Sequence, residues 1–266
     1  MINTLELKLI LTNKIKDFVN ESKDVALLFS GGTDSLSVLF TLLDLGIKPT
    51  LYTFRLNEYL SNDYLVAEKV AKHYNLKFKG LVIPYDKQQI KSDIFYLIKK
   101  FKTKRKTIIE CSYPFIYLSK MITEEKILSG LSADSNYGTP ASMSIKFNND
   151  YQGFVKAKKK IFSDINSDGY FAIKTLIETD SKKFFTPYRD PQIVNFFMKH
   201  TWKELNKPMQ KWFIVKIWQD RFNELRCYRK NSNLQVESKI RERMKSILNS
   251  NESIIKFYNQ VYNNVI

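Results

Sequence analysis

The segment Phe29-Ser30-Gly31-Gly32-Thr33-Asp34-Ser35 closes the apolar run Val25-Ala26-Leu27-Leu28-Phe29. A run of that length, cut off by two glycines, reads as a buried parallel strand. Ser35 to Leu45 reads as the following helix, with Gly46 as its stop. Gly31 and Gly32 permit backbone conformations and a close approach that a Cβ would block. The amides opening the helix, together with its dipole, then form an anion site. The Ser30 and Ser35 hydroxyls add donors. Asp34 repels an anion, so a carboxylate at this place is most simply explained by a bridging Mg²⁺. A plain glycine turn capped by Asp34 leaves the rest of the string without a reason. No Gly-Lys-Ser/Thr is present, which excludes the nucleotide-hydrolase P-loop.

A second chemical segment, Ser129-Gly130-Leu131-Ser132-Ala133-Asp134-Ser135-Asn136-Tyr137-Gly138, follows the apolar strand Lys126-Ile127-Leu128. Two carboxylates at the ends of two parallel strands, Asp34 and Asp134, can converge on one triphosphate. The elements that must position them alternate at short spacing. Leu5 to Val19 reads as an amphipathic helix, Leu51-Tyr52-Thr53-Phe54 as a strand, and Asp63 to Tyr74 as a helix capped by Asn62 or Asp63. Phe78 to Ile83 reads as a third strand. This is the signature of an α/β fold with a parallel sheet and flanking helices. From about Ile193 the pattern turns helical. The expectation is one domain over 1–266, with an α/β core at 20–150 and a helical C-terminal part at 190–266.

Composition narrows the chemistry. The chain has 266 residues, and 43 Lys+Arg against 27 Asp+Glu give a net charge of +16, which favours polyanionic partners. Nucleic acid is one such partner. Lys99–Lys106 and Lys156–Lys160 are basic runs, read either as solvated faces or as a phosphate-backbone contact surface. Two cysteines, Cys111 and Cys227, give no disulfide framework or cysteine zinc site and read as structural thiols. His73 and His200 are too few for His-rich metal catalysis. No apolar run approaches a bilayer span and no leader pattern opens the chain, so a soluble cytoplasmic protein without a membrane partner is expected.

The Ser-Gly-Gly-x-Asp-Ser string resembles the hallmark of the PP-loop ATP pyrophosphatases. That resemblance implies ATP and Mg²⁺, cleavage between the α and β phosphates, and an adenine nucleotide α-hydrolase-like sheet. Further stretches resemble the synthetase domain of class B asparagine synthetases and their β-lactam-forming relatives. Leu51–Phe54 with Asp63, Ala67 and Val70-Ala71 is similar to that family's second strand and next helix. The match implies that the strand backbone at Thr53 and Phe54 holds adenine. Ser129–Gly138 resembles the family's SGxGxDExFGG, which puts Ser129 and Gly130 near the nucleotide and Asp134 on a second Mg²⁺. Ser135 stands where the family has an acidic residue, so a role needing that charge is absent.

Phe185-Thr186-Pro187-Tyr188-Arg189-Asp190-Pro191-Gln192-Ile193-Val194 resembles the family's PFLDxxLV. Here Asp190 is the helix cap, and Arg189, in place of an apolar residue, is available to an anion. Lys207–Trp212 and Arg229–Val236 resemble the late helices and the RxK segment, which makes Lys230 the first and Lys211 the second choice for the cation that supports acyl-adenylate chemistry.

The resemblance implies an ATP-dependent ligase that adenylates a carboxylate and passes it to ammonia or an amine. Residue 2 is Ile2, not the nucleophilic cysteine of a glutaminase domain, so ammonia is expected free or from a separate glutaminase. Thiolating and nitrile-forming PP-loop enzymes need cysteine pairs or clusters. A lysidine-type tRNA ligase needs neither and stays open, as does a non-catalytic nucleotide- or nucleic-acid-binding module.

Overall fold

The computed structural model describes residues 2–139, 143, 146–166, 169–179, 181–226, 234–248 and 252–266. Helix α1 (Thr4–Val19) forms because Leu7, Leu11, Ile15 and Val19 recur on one face, and all four are buried. Asn3 starts it by accepting the Glu6 amide at 3.2 Å. Then come β1 (Val25–Leu28), α2 (Thr33–Asp44), β2 (Thr50–Leu56), α3 (Asn62–His73) and β3 (Phe78–Ile83). Next are α4 (Lys87–Phe101), α5 (Lys106–Ser112), α6 (Phe115–Met121), β4 (Lys126–Ser129) and α7 (Ala133–Tyr137). Helices α8 (Tyr151–Ser163) and α9 (Tyr170–Ile177) lead to β5 (Lys183–Phe185) and a 3₁₀ turn, Pro187–Arg189. The described remainder is helical. It comprises α10 (Pro191–Met198), α11 (Trp202–Asn206), α12 (Trp212–Ile217), α13 (Gln219–Leu225), α14 (Leu234–Glu237), α15 (Ile240–Lys245) and α16 (Ile254–Val265). No helix among the described residues is long and apolar enough to cross a membrane.

The five strands form one parallel sheet in the order β3-β2-β1-β4-β5. Strand β1 is buried throughout. Its Val25 and Leu27 belong to the core on one face, with α1, α2 and α10. Ala26 and Leu28 belong to the core on the other face, with α4, α5 and α6. Both faces of a parallel sheet must be covered in this way, which is why β1 reads as a continuous apolar run. Chain order reverses between β1 and β4. A crevice opens at such a switch point beyond the carboxyl ends of the strands, and the two chemical segments start there.

Several local expectations are corrected. Helix α2 begins at Thr33 rather than Ser35, because Gly32 already holds the extended N-cap conformation. Asp34 and Ser35 therefore lie in its first turn. The cap of α3 is Ser61, whose hydroxyl accepts the Tyr64 amide at 3.3 Å, and not Asn62 or Asp63. Strand β5, paired to β4 from Lys126↔Lys183, has only three residues and too little periodicity to read. The run Lys156–Lys160 is not uniformly solvated. Lys158 is one turn on from Phe154, on the inward stripe of α8, and both are fully buried. Its ammonium donates to the Phe197 carbonyl at 2.6 Å and lies 4.1 Å from the Phe154 ring centroid.

The helical C-terminal part is tied to the sheet by one buried arginine. Arg243 on α15 donates to the Glu58 carboxylate through Nε (2.9 Å) and Nη2 (2.5 Å). It also donates to the carbonyls of Ile83 (2.9 Å) and Pro84 (3.0 Å) at the end of β3. Arg243→Ala would leave those carbonyls and a half-exposed carboxylate without the cation. It is expected to lower unfolding free energy by roughly 2–4 kcal/mol, mainly through the carbonyls left unpaired, read from urea midpoints. A loss under about 1 kcal/mol would show that the contact is not a tether.

Candidate active site

Gly31 takes φ +70°, and a Cβ there would meet Val66 Cγ1 of α3 at 2.4 Å. The turn is thereby wedged between β1 and α3, and it delivers the chain into α2 with no side chain capping the helix start. Ser30 and Ser35 hydroxyls face each other at 3.4 Å, and Ser35 donates to the Gly32 carbonyl at 3.0 Å. Across the switch point, a Cβ on Gly130 would come within 2.6 Å of the Asp34 backbone. Glycine at 130 is what lets the end of β4 close against the first turn of α2. Leu28↔Ser129 pairing sets that register.

The two carboxylates meet on one ammonium. Lys211 Nζ lies 2.8 Å from Asp34 Oδ2 and 2.8 Å from Asp134 Oδ1. Thr139 also donates to Asp134 Oδ1 at 2.8 Å. Lys211 is the N-cap of α12, buried, with φ +61°. Ser132, two residues before Asp134, has φ +68°. Left-handed non-glycine residues of this kind persist where the surroundings over-determine them, commonly at functional sites. Burial pushes the Asp34 carboxyl up to about 7, against the pull of Lys211 and with repulsion from Asp134 added. Burial lowers the Lys211 ammonium, but the two carboxylates outweigh it and hold it above its ordinary value.

These groups line one cavity of about 360 Å³, within the range of small-ligand sites. Ser30, Gly32, Asp34, Ser35, Ser129 and Gly130 form one end. Thr53 and Phe54 of β2 form another part of the wall. The ladder between β2 and β1 stops at Tyr52, with Phe29 N donating to the Tyr52 carbonyl at 2.8 Å. The next β2 residues therefore present a backbone edge without a β1 partner, the kind of edge a flat heterocycle can use.

Other predicted positions fall elsewhere. Lys230, Arg229 and Cys227 lie outside the described residues. Asp190 caps α10 by accepting the Gln192 amide at 2.8 Å, with Pro191 in the first turn. The Arg189 guanidinium packs 4.6 Å from the Tyr170 ring centroid and donates to the Phe162 carbonyl at 3.4 Å. Cys111 lines the cavity, where burial raises its thiol to about 12. That is unsuited to a nucleophile. His73 pairs with Glu224 at 2.8 Å and His200 sits beside Glu204; neither lines the cavity.

The sequence reading missed the supports beneath the site. Tyr188 Oη shares a 2.5 Å hydrogen bond with Ser37 of α2, and its carbonyl accepts from Asn136 at 2.7 Å. Thr186 donates to the Leu131 carbonyl at 2.5 Å. The segment resembling PFLDxxLV thus fixes α2 to the loop after β4. The available signal was its own motif match, which carried no hint of what it touches.

The site residues fit an ATP–Mg²⁺ pair. Asp34 Oδ1 is buried without a hydrogen-bond partner, and the start of α2 lacks a side-chain cap. Carboxylate oxygens and hydroxyls are the hard donors Mg²⁺ uses beside phosphate. Among the described residues no cluster of three or more acidic, His or Cys side chains holds a metal by itself, so phosphate oxygens would complete the shell.

No curated protein matches the chain. The solved structures to which the chain is similar include three examples. One is a predicted tRNA methyltransferase subunit from Methanocaldococcus jannaschii, 20% identical with a TM-score of 0.35, the match covering 79% of this chain and 93% of that one. Another is the U34-tRNA thiolase NcsA from Methanococcus maripaludis with its [4Fe-4S] cluster, 14% identical, TM-score 0.41, covering 98% and 79%. The third is NMN synthetase from Francisella tularensis, 12% identical, TM-score 0.38, covering 88% and 100%. The Asparagine synthase family model matches residues 6–152, which include the glycine turn, both aspartates and the strand that carries Thr53 and Phe54. A match over more than half of this chain, through most of the residues that line the cavity, makes it a member of the Asparagine synthase family of ATP-utilising PP-loop enzymes.

Proposed function

We propose that the chain is an ATP-dependent amide-forming ligase. A carboxylate oxygen attacks the α-phosphorus of ATP and pyrophosphate leaves. Ammonia or an amine then attacks the acyl carbon, loses a proton and displaces AMP. The observation that carries this reading is the convergence of Asp34, Asp134 and Lys211 at the uncapped start of α2, in a chain of this family.

In this reading Ser30, Gly31, Gly32 and Ser35 hold the leaving pyrophosphate through hydroxyls and helix-start amides. The backbone at Thr53 and Phe54 takes adenine. Ser129 and Gly130 flank the nucleotide from β4. Asp34 and Asp134 would hold Mg²⁺. When bound, Mg²⁺ neutralises charge on the triphosphate and on the leaving group. Lys211, buried and preorganised by both carboxylates, puts a fixed cation where phosphate charge develops. Lys230 is assigned the second cation, for acyl transfer. The substrates are a small-molecule carboxylate and ammonia or an amine, with ammonia free or from a separate glutaminase, and the whole of 1–266 acts as one synthetase unit.

The test is carboxylate-dependent exchange of labelled pyrophosphate into ATP, followed by hydroxylamine trapping of the acyl group as a hydroxamate. Exchange that requires a carboxylate and Mg²⁺ is expected. Absence of exchange with every acid, while a tRNA is modified at the expense of ATP, would replace the ligase with a tRNA-modifying enzyme.

A further inference from the structure

The basic run Lys99–Lys106 lines part of a second cavity. Six of the eight residues Lys99–Lys106 are Lys or Arg. Lys100, Lys102 and Arg105 line a surface cavity of about 380 Å³, together with Phe101, Phe171 and Asn166. Arg105 Nη1 donates to the Asn166 carbonyl at 3.1 Å. Asn166 lies three residues beyond the end of α8, whose exposed face carries Lys156, Lys159 and Lys160. Asp164 in the same loop is turned onto the Asn166 amide at 2.9 Å.

The rings are as telling as the charges. Phe101 and Phe171 stand edge to face with centroids 6.4 Å apart, and Phe171 is 39% exposed. One turn back on α4, Tyr96 is also exposed, with the Lys100 ammonium 5.4 Å from its ring centroid. Exposed aromatics set among cations are what a single-stranded polynucleotide uses, since bases stack on rings while phosphates take the cations.

This cavity shares its walls with the active-site cavity. The α5 segment gives Arg105 and Ile108 to one and Thr107 and Cys111 to the other, and α9 gives Phe171 and Ala172 to one and Ile173 to the other.

We propose that the second cavity binds a single-stranded nucleic acid segment. Lys100, Lys102 and Arg105 take backbone phosphates, and the Phe101–Phe171 pair stacks a base. An acidic protein would match the cations but leave the exposed rings without a role. The binding site stands on its own observations. Only the corollary, that the polynucleotide delivers an acceptor group past α5 and α9 into the cleft, rests on the proposed ligase reading.

The test is fluorescence anisotropy of the full chain with labelled single strands of about 12 nucleotides, RNA and DNA, across a salt series without ATP. Three phosphate contacts predict a log–log salt slope of about −2. The double variant Lys100→Glu/Lys102→Glu is expected to weaken binding roughly thirtyfold and flatten the slope. Phe171→Ala is expected to weaken it roughly tenfold with the slope unchanged. Both should leave ATP binding and the melting temperature unaltered. No binding at low salt, or wild-type binding by both variants, would overturn the site. Polyglutamate competing as well as the oligonucleotide would transfer the surface to an acidic protein. Equal affinity for duplex, with Phe171→Ala silent, would overturn the single-strand assignment. None of these readouts involves pyrophosphate exchange, so failure here is distinct from failure of the ligase reading.

Discussion

Asp34→Asn is expected to lower carboxylate-dependent pyrophosphate release by at least roughly 10²–10³-fold, the scale of one preorganised electrostatic group, while changing the melting temperature little. The reasons are local. Asp34 sits in the first turn of α2, with one oxygen on Lys211 at 2.8 Å and the other buried without a partner. That second oxygen is desolvated without a partner, a cost that a neutral amide of the same shape lessens, while the buried Lys211 ammonium loses one of its two counter-charges, so the two effects on stability oppose each other. Without the Asp34 charge, Lys211 retains Asp134 at 2.8 Å, so the loop after β4 stays in place and the change isolates the carboxylate. Pyrophosphate release and a thermal melt on the same preparation check both halves. Turnover within about threefold of wild type would remove Asp34 from the reaction.

Lys158→Met is expected to stabilise the fold by roughly 2–4 kcal/mol near pH 7, with the gain falling by roughly 1.4 kcal/mol per pH unit above 7 and reversing sign before pH 10.5. Burial lowers the Lys158 ammonium to about 7 from its ordinary 10.5. Among the described residues no carboxylate pairs with it. Its contacts are one carbonyl and one ring face.

The folded pKa is depressed, so between about 7 and 10.5 the unfolded chain holds a proton that the folded chain has released. Stability from this group then rises with pH by roughly 1.4 kcal/mol per unit across that window and is flat below it. The full penalty, on the order of 5 kcal/mol, acts at and below neutrality. Loss of the hydrogen bond and ring contact offsets part of the gain. The Phe197 carbonyl keeps a backbone donor, the His200 amide at 3.4 Å. His200, whose own imidazole is held below its usual value by burial first and by Lys158 in part, will titrate slightly higher in the variant. Urea unfolding at pH 7, 8.5 and 10 measures the difference; a difference independent of pH would mean that Lys158 is not the titrating group.

The amino-acid sequence determined the sheet and where its chemistry begins. Parallel strands buried on both faces read as apolar runs, so Val25–Leu28, Leu51–Phe54 and Ile127-Leu128 announce themselves locally, the partly buried edge strand Phe78–Ile83 is legible from its short run, and glycines follow the first and the last of the four. The Ser30–Ser35 turn and Asp134 were legible for the same reason, since backbone conformation and carboxylate placement are short-range properties. Tertiary structure alone decided what stands between Asp34 and Asp134. Lys211 is 177 residues from Asp34 along the chain; the motif match named it as the second-choice cation but carried no sign that it stands between both carboxylates. Lys158 makes the same point in reverse, since its neighbours Lys159 and Lys160 are exposed and only the packing of α8 against α10 selects it for burial. The Arg243–Glu58 tether and the Tyr188–Ser37 bond were equally hidden, because a long-range hydrogen bond is fixed by where two elements pack, and periodicity records only which face of each is buried.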